Sequence, residues 1–235
     1  MTVAVDIGLA PGSVKICGLS TPKHAGAAAL GGADLIGLIF APSRRRVTPE
    51  VAGQCIRAAR LAAGCRRLLA VGVFVNEPAV TINAVAAHAD LDLVQLNGDE
   101  APSLLGELDR PAVKALRIPT GGTVGEAEEL IAPYLAATKP PLAFLVDGYD
   151  PVHFGGQGVR ADWDVAQELA RRYPLLLAGG LDGANVEQAI RQVQPLGVDV
   201  SSGVETEGIK DVAKITGFIG AARQGFEVPS TPGRR

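Results

Sequence analysis

Aromatic residues are scarce in this chain of 235 residues, at 4% of the total. Charged residues are also few, at 20%, and the formal net charge is only −3. A nucleic-acid-binding domain shows a basic face and a high isoelectric point, so this composition argues against a nucleic-acid partner. The apolar fraction of 47% is nevertheless sufficient for a large core.

Long apolar runs and paired cysteines are missing as well. The longest apolar runs, such as 68–75, fall far short of the roughly 20 residues that a membrane span needs. Three widely spaced cysteines do not suggest a disulfide framework and favour a reducing compartment. Residues 1–13 lack the basic stretch and apolar core of a secretory signal. We therefore expect a soluble, cytoplasmic protein without membrane contact.

The chain does contain a regular alternation of short apolar runs and helical patterns. The apolar runs predict eight strands, at 14–17, 34–40, 68–75, 91–96, 112–116, 142–147, 175–178 and 198–201. The helices that follow them are predicted at 21–30, 49–64, 78–88, 100–108, 124–135, 162–172, 184–193 and 209–222. Short connections in such an alternation mean parallel strands joined by helical crossovers. Eight units in this length favour a single closed (β/α)₈ TIM barrel over an open sheet.

The barrel is expected to span residues 14–223 as one catalytic domain. Residues 1–13, which include Pro11 and Gly12, are expected to form a flexible arm. Residues 224–235, which include Pro229 and Pro232, are expected to form a disordered tail. In such a barrel the function lies at the carboxyl ends of the strands, so those ends carry the candidate residues.

Two strand ends carry groups suited to acid–base chemistry. Asp147 ends the sixth strand, where it either caps a turn or acts as a catalytic acid facing the glycine-rich loop 154–158. Lys15 and Cys17 lie on one side of the first strand, because side chains alternate along a strand. Cys17 is either a small buried apolar residue or a thiolate base, whereas Cys55 and Cys65 fit a structural role.

Two further strand ends carry polar residues whose role the residues alone leave open. Arg44, Arg45 and Arg46 follow the second strand, either as a solvated basic loop or as an anion clamp at the barrel mouth. Gln95 interrupts the fourth strand and either points into the mouth or joins a core network.

Glycine-bearing loops follow the last three strands. They contain 155–158, then Gly179 and Gly180, then Ser202 and Gly203. Bare backbone N–H groups after strands seven and eight are typical of the phosphate site of such barrels. The three loops therefore predict a phosphate-binding edge of the mouth.

Seven motifs in order give the chain a family resemblance. They are Lys-Ile-Cys-Gly at 15–18, the arginine loop at 44–46, Val-Gly-Val-Phe-Val-Asn at 71–76, Val-Gln-Leu-x-Gly-Asp-Glu at 94–100, the acid and Gly-Gly-x-Gly loop at 147–158, Ala-Gly-Gly-Leu at 178–181, and Asp-Val-Ser-Ser-Gly-Val-Glu at 199–205. Over about 14–219 the chain resembles phosphoribosylanthranilate isomerase of tryptophan biosynthesis, a (β/α)₈ barrel without cofactor.

The resemblance implies an Amadori rearrangement of a small phosphorylated substrate, N-(5-phosphoribosyl)anthranilate. It assigns Asp147 as general acid, Cys17 as general base and Arg45 as the partner of the anthranilate carboxylate. The pKa of a cysteine base should lie below its free value, or at least not be raised by burial. The phosphate is assigned to one set of residues: Gly156, Gly158, Gly179, Gly180, Ser202 and Gly203. No metal is implied, and the oligomeric state stays open.

The chain departs from the family pattern in four places. Asn97 replaces the usual histidine, and Gln157 replaces the usual serine or threonine. The arginine loop is about one residue short, so that counting from Phe40 favours Arg46 and counting back from Val47 favours Arg45. The loop at 148–154 also carries its own acid and histidine, Asp150 and His153.

Two alternative functions remain open at this point. The sister aminoaldose isomerase of histidine biosynthesis uses two aspartates as its acid–base pair, and Cys17 stands where that enzyme has one of them. Another sugar-phosphate isomerase or epimerase on the same barrel is thus the alternative among enzymes. Outside enzymes, the chain could be a barrel that only binds a phosphorylated ligand.

Overall fold

The computed structural model describes residues 8–118, 121–148 and 162–227. The strands are β1 (Ser13–Cys17), β2 (Leu35–Ile39), β3 (Leu69–Phe74), β4 (Leu93–Leu96), β5 (Ala112–Ile118), β6 (Ala143–Gly148), β7 (Leu175–Leu177), β8 (Gly197–Val200), β9 (Glu205–Thr206) and β10 (Ile209–Lys210). The helices are α1 (Pro22–Leu30), α2 (Pro49–Ala63), α3 (Ala79–Ala89), α4 (Leu104–Glu107), α5 (Val124–Leu135), α6 (Trp163–Ala170), α7 (Val186–Val193) and α8 (Val212–Glu227). Within these residues no helix is long and apolar enough to cross a membrane.

Strands β1 to β8 form a closed barrel in sequence order. Each pairs in parallel with its neighbours, and β1 closes the ring by pairing with β8. The predicted (β/α)₈ barrel is thus confirmed. Parallel strands in sequence order bring all eight carboxyl ends to one mouth.

Local sequence signals set several helix starts. The side chain of Thr48 accepts a hydrogen bond from the amide of Val51, and Pro49 occupies the first turn of α2, as the sequence predicts. Thr21 caps α1 in the same way, and Thr123 forms a reciprocal capping box with Glu126 at the start of α5. These caps satisfy amides that have no partner inside the helix.

Two layers of apolar side chains stabilise the barrel. A large outer cluster lies between the strands and the helices. Two smaller clusters lie inside, one around Val113 and Leu145 and one around Leu69 and Leu93. Leu9 packs against both inner clusters, so the segment before β1 covers the barrel interior at the end away from the mouth.

The predicted helix at 100–108 is wrong in extent, because α4 spans only Leu104–Glu107. The side chain of Glu100 is buried and accepts hydrogen bonds from the amides of Asn76 and Gly98. It also pairs with Lys114 at 2.8 Å. Glu100 therefore ties together the ends of β3, β4 and β5 instead of starting a helix.

The predicted helix at 209–222 begins later, at Val212. A hairpin of β9 and β10 precedes it, joined by Glu207 and Gly208, which both have positive φ. Two central residues with φ > 0 are typical of a tight two-residue hairpin turn. At the chain ends, β1 already includes Ser13 and α8 continues to Glu227, while residues 1–7 and 228–235 lie outside the described residues.

Candidate active site

Two adjoining pockets lie in the barrel mouth. The first is lined by residues that include Cys17, Arg45 and Asp147, and we call it the reaction pocket. The second is lined by residues that include Gly179, Gly180 and Ser202, and we call it the glycine pocket. Three residues, Asp147, Asp199 and Ser201, line both pockets. One elongated ligand can therefore reach the acid–base candidates and the glycine loops together.

Cys17 lies at the end of β1 with its side chain inside the barrel. It is 5% exposed and faces Gly37 of β2, its register partner. A methyl group on Gly37 would lie only 2.7 Å from Cys17 Sγ, so the glycine provides room for the sulfur. This placement in the pocket favours a functional role over one in core packing. All three cysteines are free thiols.

The ionisation of Cys17 differs from the expectation. Burial raises the pKa of the Cys17 thiol, and the nearby Lys15 ammonium group opposes that increase without cancelling it. The expectation that burial would not raise the pKa is therefore wrong. The sequence contains both residues, but it does not show how completely the barrel removes the sulfur from water.

Asp147 is half-buried near the end of β6, where its backbone is in register with Arg117 of β5. Leu145 and Asp147 point to the same side of the strand, and both line the reaction pocket. The carboxylate and the Cys17 thiol thus meet in one cavity from strands 130 residues apart in the chain, as the sequence hypothesis requires.

The three arginines after β2 have different environments. Arg44 is exposed, with 59% of its side chain accessible, and Arg46 is exposed and lines a separate pocket beside Phe40 and Phe74. Arg45 alone is buried and lines the reaction pocket. The structure therefore places the residue counted back from Val47 in the mouth, rather than Arg46.

Glu205 holds the guanidinium group of Arg45 in place. Arg45 Nε donates to Glu205 Oε1 at 2.6 Å, and Arg45 Nη2 donates to Glu205 Oε2 at 2.9 Å. Lys210 also pairs with Glu205, at 2.8 Å. Burial by itself would raise the pKa of Glu205, but hydrogen bonds from Arg45 and Lys210 lower it to about 2. Neither bond from Arg45 uses Nη1, which leaves that nitrogen for a ligand.

The backbone that lines the glycine pocket adopts φ values that favour glycine. Gly179 and Gly180 have φ values of +82° and +64°, in the region that favours glycine. Asn185 Nδ2 donates to the carbonyl of Gly180 at 2.8 Å and thereby fixes the loop. Ser202 begins a 3₁₀ turn (Ser202–Val204) at the edge of the pocket. Gly156, Gly158, Gln157, Asp150 and His153 lie outside the described residues.

Gly203 has a packing role that the sequence does not reveal. A methyl group there would lie 1.9 Å from the backbone oxygen of Leu181. The loops after β7 and β8 therefore touch through Gly203, and a larger residue would push them apart. Assigning Gly203 only to phosphate misses this contact, because it joins residues 22 positions apart in the chain.

The open question about Gln95 is answered by its position in the reaction pocket. Gln95 is 2% exposed and donates from Nε2 to Asn97 Oδ1 at 2.7 Å. Its Oε1 atom has no hydrogen-bond partner among the residues that the structure describes. Both amides line the reaction pocket, so Gln95 points into the mouth.

Sequence reasoning gave no individual role to Asp199, Glu205 and Lys210. Asp199 pairs with Lys15 inside the barrel at 3.0 Å, and Glu205 and Lys210 surround Arg45. The signal available was a charged residue inside or next to an otherwise apolar strand. The pairing of Lys15 with Asp199 follows only from barrel closure, which brings β1 beside β8.

Comparisons with known proteins agree with this geometry. The family profile of N-(5'phosphoribosyl)anthranilate (PRA) isomerase matches residues 14–221. N-(5'-phosphoribosyl)anthranilate isomerase of Roseiflexus sp. (strain RS-1) is 47% identical over 215 residues, which cover 90% of this chain and 97% of that protein. The enzyme of that name from Dehalococcoides mccartyi is 40% identical over 205 residues, covering 87% and 93%.

Solved structures give the same result. Phosphoribosyl anthranilate isomerase from Thermotoga maritima aligns with a TM-score of 0.77 at 32% identity, covering 90% of this chain and 98% of that chain. The Thermus thermophilus structure aligns at 0.73 and 29% identity, with the same coverage. The chain therefore belongs to the N-(5'-phosphoribosyl)anthranilate isomerase family.

Proposed function

We propose that this chain isomerises N-(5-phosphoribosyl)anthranilate to 1-(2-carboxyphenylamino)-1-deoxyribulose 5-phosphate, a step of tryptophan biosynthesis. The observation that supports this most is the meeting of Cys17, Asp147 and Arg45 in one pocket beside the glycine pocket. The substrate carries a carboxylate at one end and a phosphate at the other. A related structure contains reduced 1-(o-carboxyphenylamino)-1-deoxyribulose 5-phosphate, a ligand with both groups.

Asp147 is the proposed general acid. It would enter the cycle protonated and donate its proton to the furanose ring oxygen, and the ring C–O bond would break to leave a protonated Schiff base. Positioned acids and bases contribute about 10²–10⁴-fold to such steps. The half-buried position of Asp147, open to both pockets, allows it to lie over the sugar.

Cys17 is the proposed general base. As a thiolate it would take the proton from ribose C2, and the electrons of that bond would neutralise the iminium group to give an enolamine. Protonation at C1 and loss of the C2 hydroxyl proton, which the Asp147 carboxylate can take back, then yield the ketone, so that the rearrangement is redox-neutral overall. Because burial raises the pKa of Cys17, only a minor fraction is thiolate at neutral pH, and the ionised fraction of this thiol limits the active fraction of the enzyme.

Arg45 is the proposed partner of the anthranilate carboxylate, and the glycine pocket the proposed phosphate site. Glu205 fixes the Arg45 side chain before substrate arrives, which reduces the entropy lost on binding. Gly179, Gly180 and Ser202 surround the space where the phosphate would lie, with Gly203 behind them. We assign Gly156 and Gly158 to the same phosphate by family resemblance alone.

The experiment is complementation of a tryptophan auxotroph that lacks this isomerase. The wild-type chain should restore growth without tryptophan, whereas Cys17→Ala should not, and Cys55→Ala serves as the matched control because Cys55 lies in α2, away from both pockets. No growth from soluble wild-type protein would favour another sugar-phosphate isomerase. We also propose a cytoplasmic location, supported by the three free cysteines.

A further inference from the structure

We propose that Lys15 is a positioning residue for this reaction, because its ammonium group supplies the positive charge that stabilises the Cys17 thiolate inside the barrel. The inference rests on the proposed role of Cys17 as base. It assigns a function to a buried lysine that does not line either pocket of the mouth.

The backbone brings the two side chains together. Lys15 and Cys17 are two positions apart in β1, so both point to the barrel interior. A methyl group on Gly37 would lie 2.7 Å from Cys17 Sγ and 3.1 Å from Lys15 Nζ. Sulfur and nitrogen therefore both lie beside one glycine of the neighbouring strand, which has no side chain to separate them.

Lys15 is also almost fully buried, which is rare for a lysine unless its charge is paired. It is 1% exposed, and a buried charge costs several kcal/mol unless it is paired. Its hydrogen bond to a carboxylate goes to Asp199 Oδ1, at 3.0 Å. An ammonium group has three N–H donors, so Lys15 can donate to a thiolate while it remains paired with Asp199.

Among the charges around the sulfur, Lys15 has the largest effect in favour of the thiolate. The groups that face Cys17 are Lys15 on β1, Asp199 on β8, Lys210 on β10, Asp147 on β6 and Arg45 after β2. Burial raises the pKa of Cys17, Lys15 and Lys210 lower it, and Asp199 raises it. Without Lys15, Lys210 would remain to offset the Asp199 carboxylate, and its effect on the pKa of Cys17 is smaller than that of Lys15.

Lys15 itself stays charged over the working range of pH. Burial alone would lower the pKa of Lys15, but Asp199 and Cys17 together hold it above its ordinary value. Lys15 is therefore a fixed cation rather than a proton carrier. The proton that leaves Cys17 goes to solvent, and the lysine stabilises the anion that remains.

The test measures how readily Cys17 ionises, independently of catalysis. Iodoacetamide alkylates thiolates, and peptide mass spectrometry reports each cysteine separately. Lys15→Met removes the charge at similar length, and the alkylation profile of Cys17 should move to higher pH by about 1–3 units, the range for losing an opposite charge within contact distance. Exposed Cys65 is the internal control, and its profile should stay unchanged.

The kinetic readout should change in the same direction. In Lys15→Met the loss of kcat/KM should be large near neutral pH and should shrink as pH rises. A loss of equal size at every pH would mean a merely structural lysine. Lys15→Arg keeps the charge and should retain a profile closer to that of the wild type.

A second variant protects the test against misfolding. Lys15→Met alone leaves Asp199 buried without its partner, whereas Lys15→Met with Asp199→Asn replaces the ion pair by neutral groups. This double variant should recover thermal stability. Its Cys17 alkylation profile should still move to higher pH than that of the wild type, but by less than in Lys15→Met. An unchanged alkylation profile in folded Lys15→Met would overturn the inference. Turnover retained in Cys17→Ala would overturn the proposed base, and with it the role of Lys15 in this reaction, whatever the alkylation profile shows.

Discussion

At the scale of single residues, consecutive residues of the same type differ in burial, and this difference decides which of them belongs to the site. Arg44, Arg45 and Arg46 are chemically identical and consecutive, yet only Arg45 is buried in the reaction pocket. The physical reason lies in Gly18, where a side chain would meet Arg45 Cδ at 2.6 Å. Gly18 has a φ of +73° and leaves a channel through which Arg45 reaches the mouth.

Arg45→Ala should lower kcat/KM for the anthranilate substrate by roughly 10- to 150-fold. That factor corresponds to about 1.5–3 kcal/mol for a hydrogen bond to a charged group. Arg46→Ala is the matched control and should have little effect, because Arg46 lines a different pocket. Steady-state kinetics on the three single arginine variants make the measurement.

Arg45→Ala also removes the partner of Glu205, so the carboxylate contact needs a separate check. An aminoaldose phosphate built on aniline lacks the carboxylate. With that substrate, Arg45→Ala and the wild type should react at similar rates. A loss as large as with the anthranilate substrate would mean that Arg45 only supports Glu205 and the loop.

At the scale of secondary-structure elements, the loops after β7 and β8 depend on one another. Ser202 lines the glycine pocket, whereas Gly203 packs against the backbone of Leu181. Ser202 can therefore be used to test ligand binding, and Gly203 to test the packing of the two loops. Substitution at Gly203 is a poor probe of phosphate binding, because it displaces backbone before it touches a ligand.

Ser202→Ala should weaken binding of the phosphorylated product by roughly 2- to 12-fold, the equivalent of about 0.5–1.5 kcal/mol for one hydrogen bond. Its thermal midpoint should stay unchanged. Gly203→Ala should instead lower the free energy of unfolding by about 1–3 kcal/mol, the usual cost of overpacking. Calorimetric titration with the product and with its dephosphorylated form checks Ser202→Ala, and denaturant unfolding checks Gly203→Ala. Equal losses for the two ligands in Ser202→Ala would contradict the phosphate assignment.

The elements also show where sequence reasoning succeeds and fails. Alternation of short apolar runs with helical patterns was enough to predict all eight barrel strands, because buried parallel strands read as continuous apolar segments. The helix at 100–108 and the start at 209 were wrong, since Glu100 is held by the amide of Asn76 and by Lys114 and Gly208 turns a hairpin. Such tertiary contacts override local helix preference.

The candidate site shows the same division. Cys17, Asp147 and Arg45 were predicted from strand ends and family motifs, and the structure brings the three to one pocket. Their catalytic roles stay predictions. The pairing of Arg45 with Glu205 and of Lys15 with Asp199 was missed, because each joins residues at least 160 positions apart.

At the scale of the whole molecule, the barrel separates stability from chemistry. Leu9 packs against the inner apolar clusters at the end away from the mouth, and one of these clusters extends through the barrel interior to Leu145 and Ala178, which line the pockets. The proposed acid, base and carboxylate partner and the glycine loops lie at the other end, on β1, β6 and the segments that follow β2, β7 and β8. Variants of mouth residues that face the pockets should therefore change activity more than folding.

The central claim is that Cys17 and Asp147 perform the rearrangement in this mouth. The most direct test measures kcat/KM for N-(5-phosphoribosyl)anthranilate in the wild type, Cys17→Ala and Asp147→Asn, beside the product Kd of each. We predict turnover by the wild type, a loss of at least about 10²-fold in each variant, and nearly unchanged product binding. Turnover retained in Cys17→Ala, or lost equally in Cys55→Ala, would contradict the account.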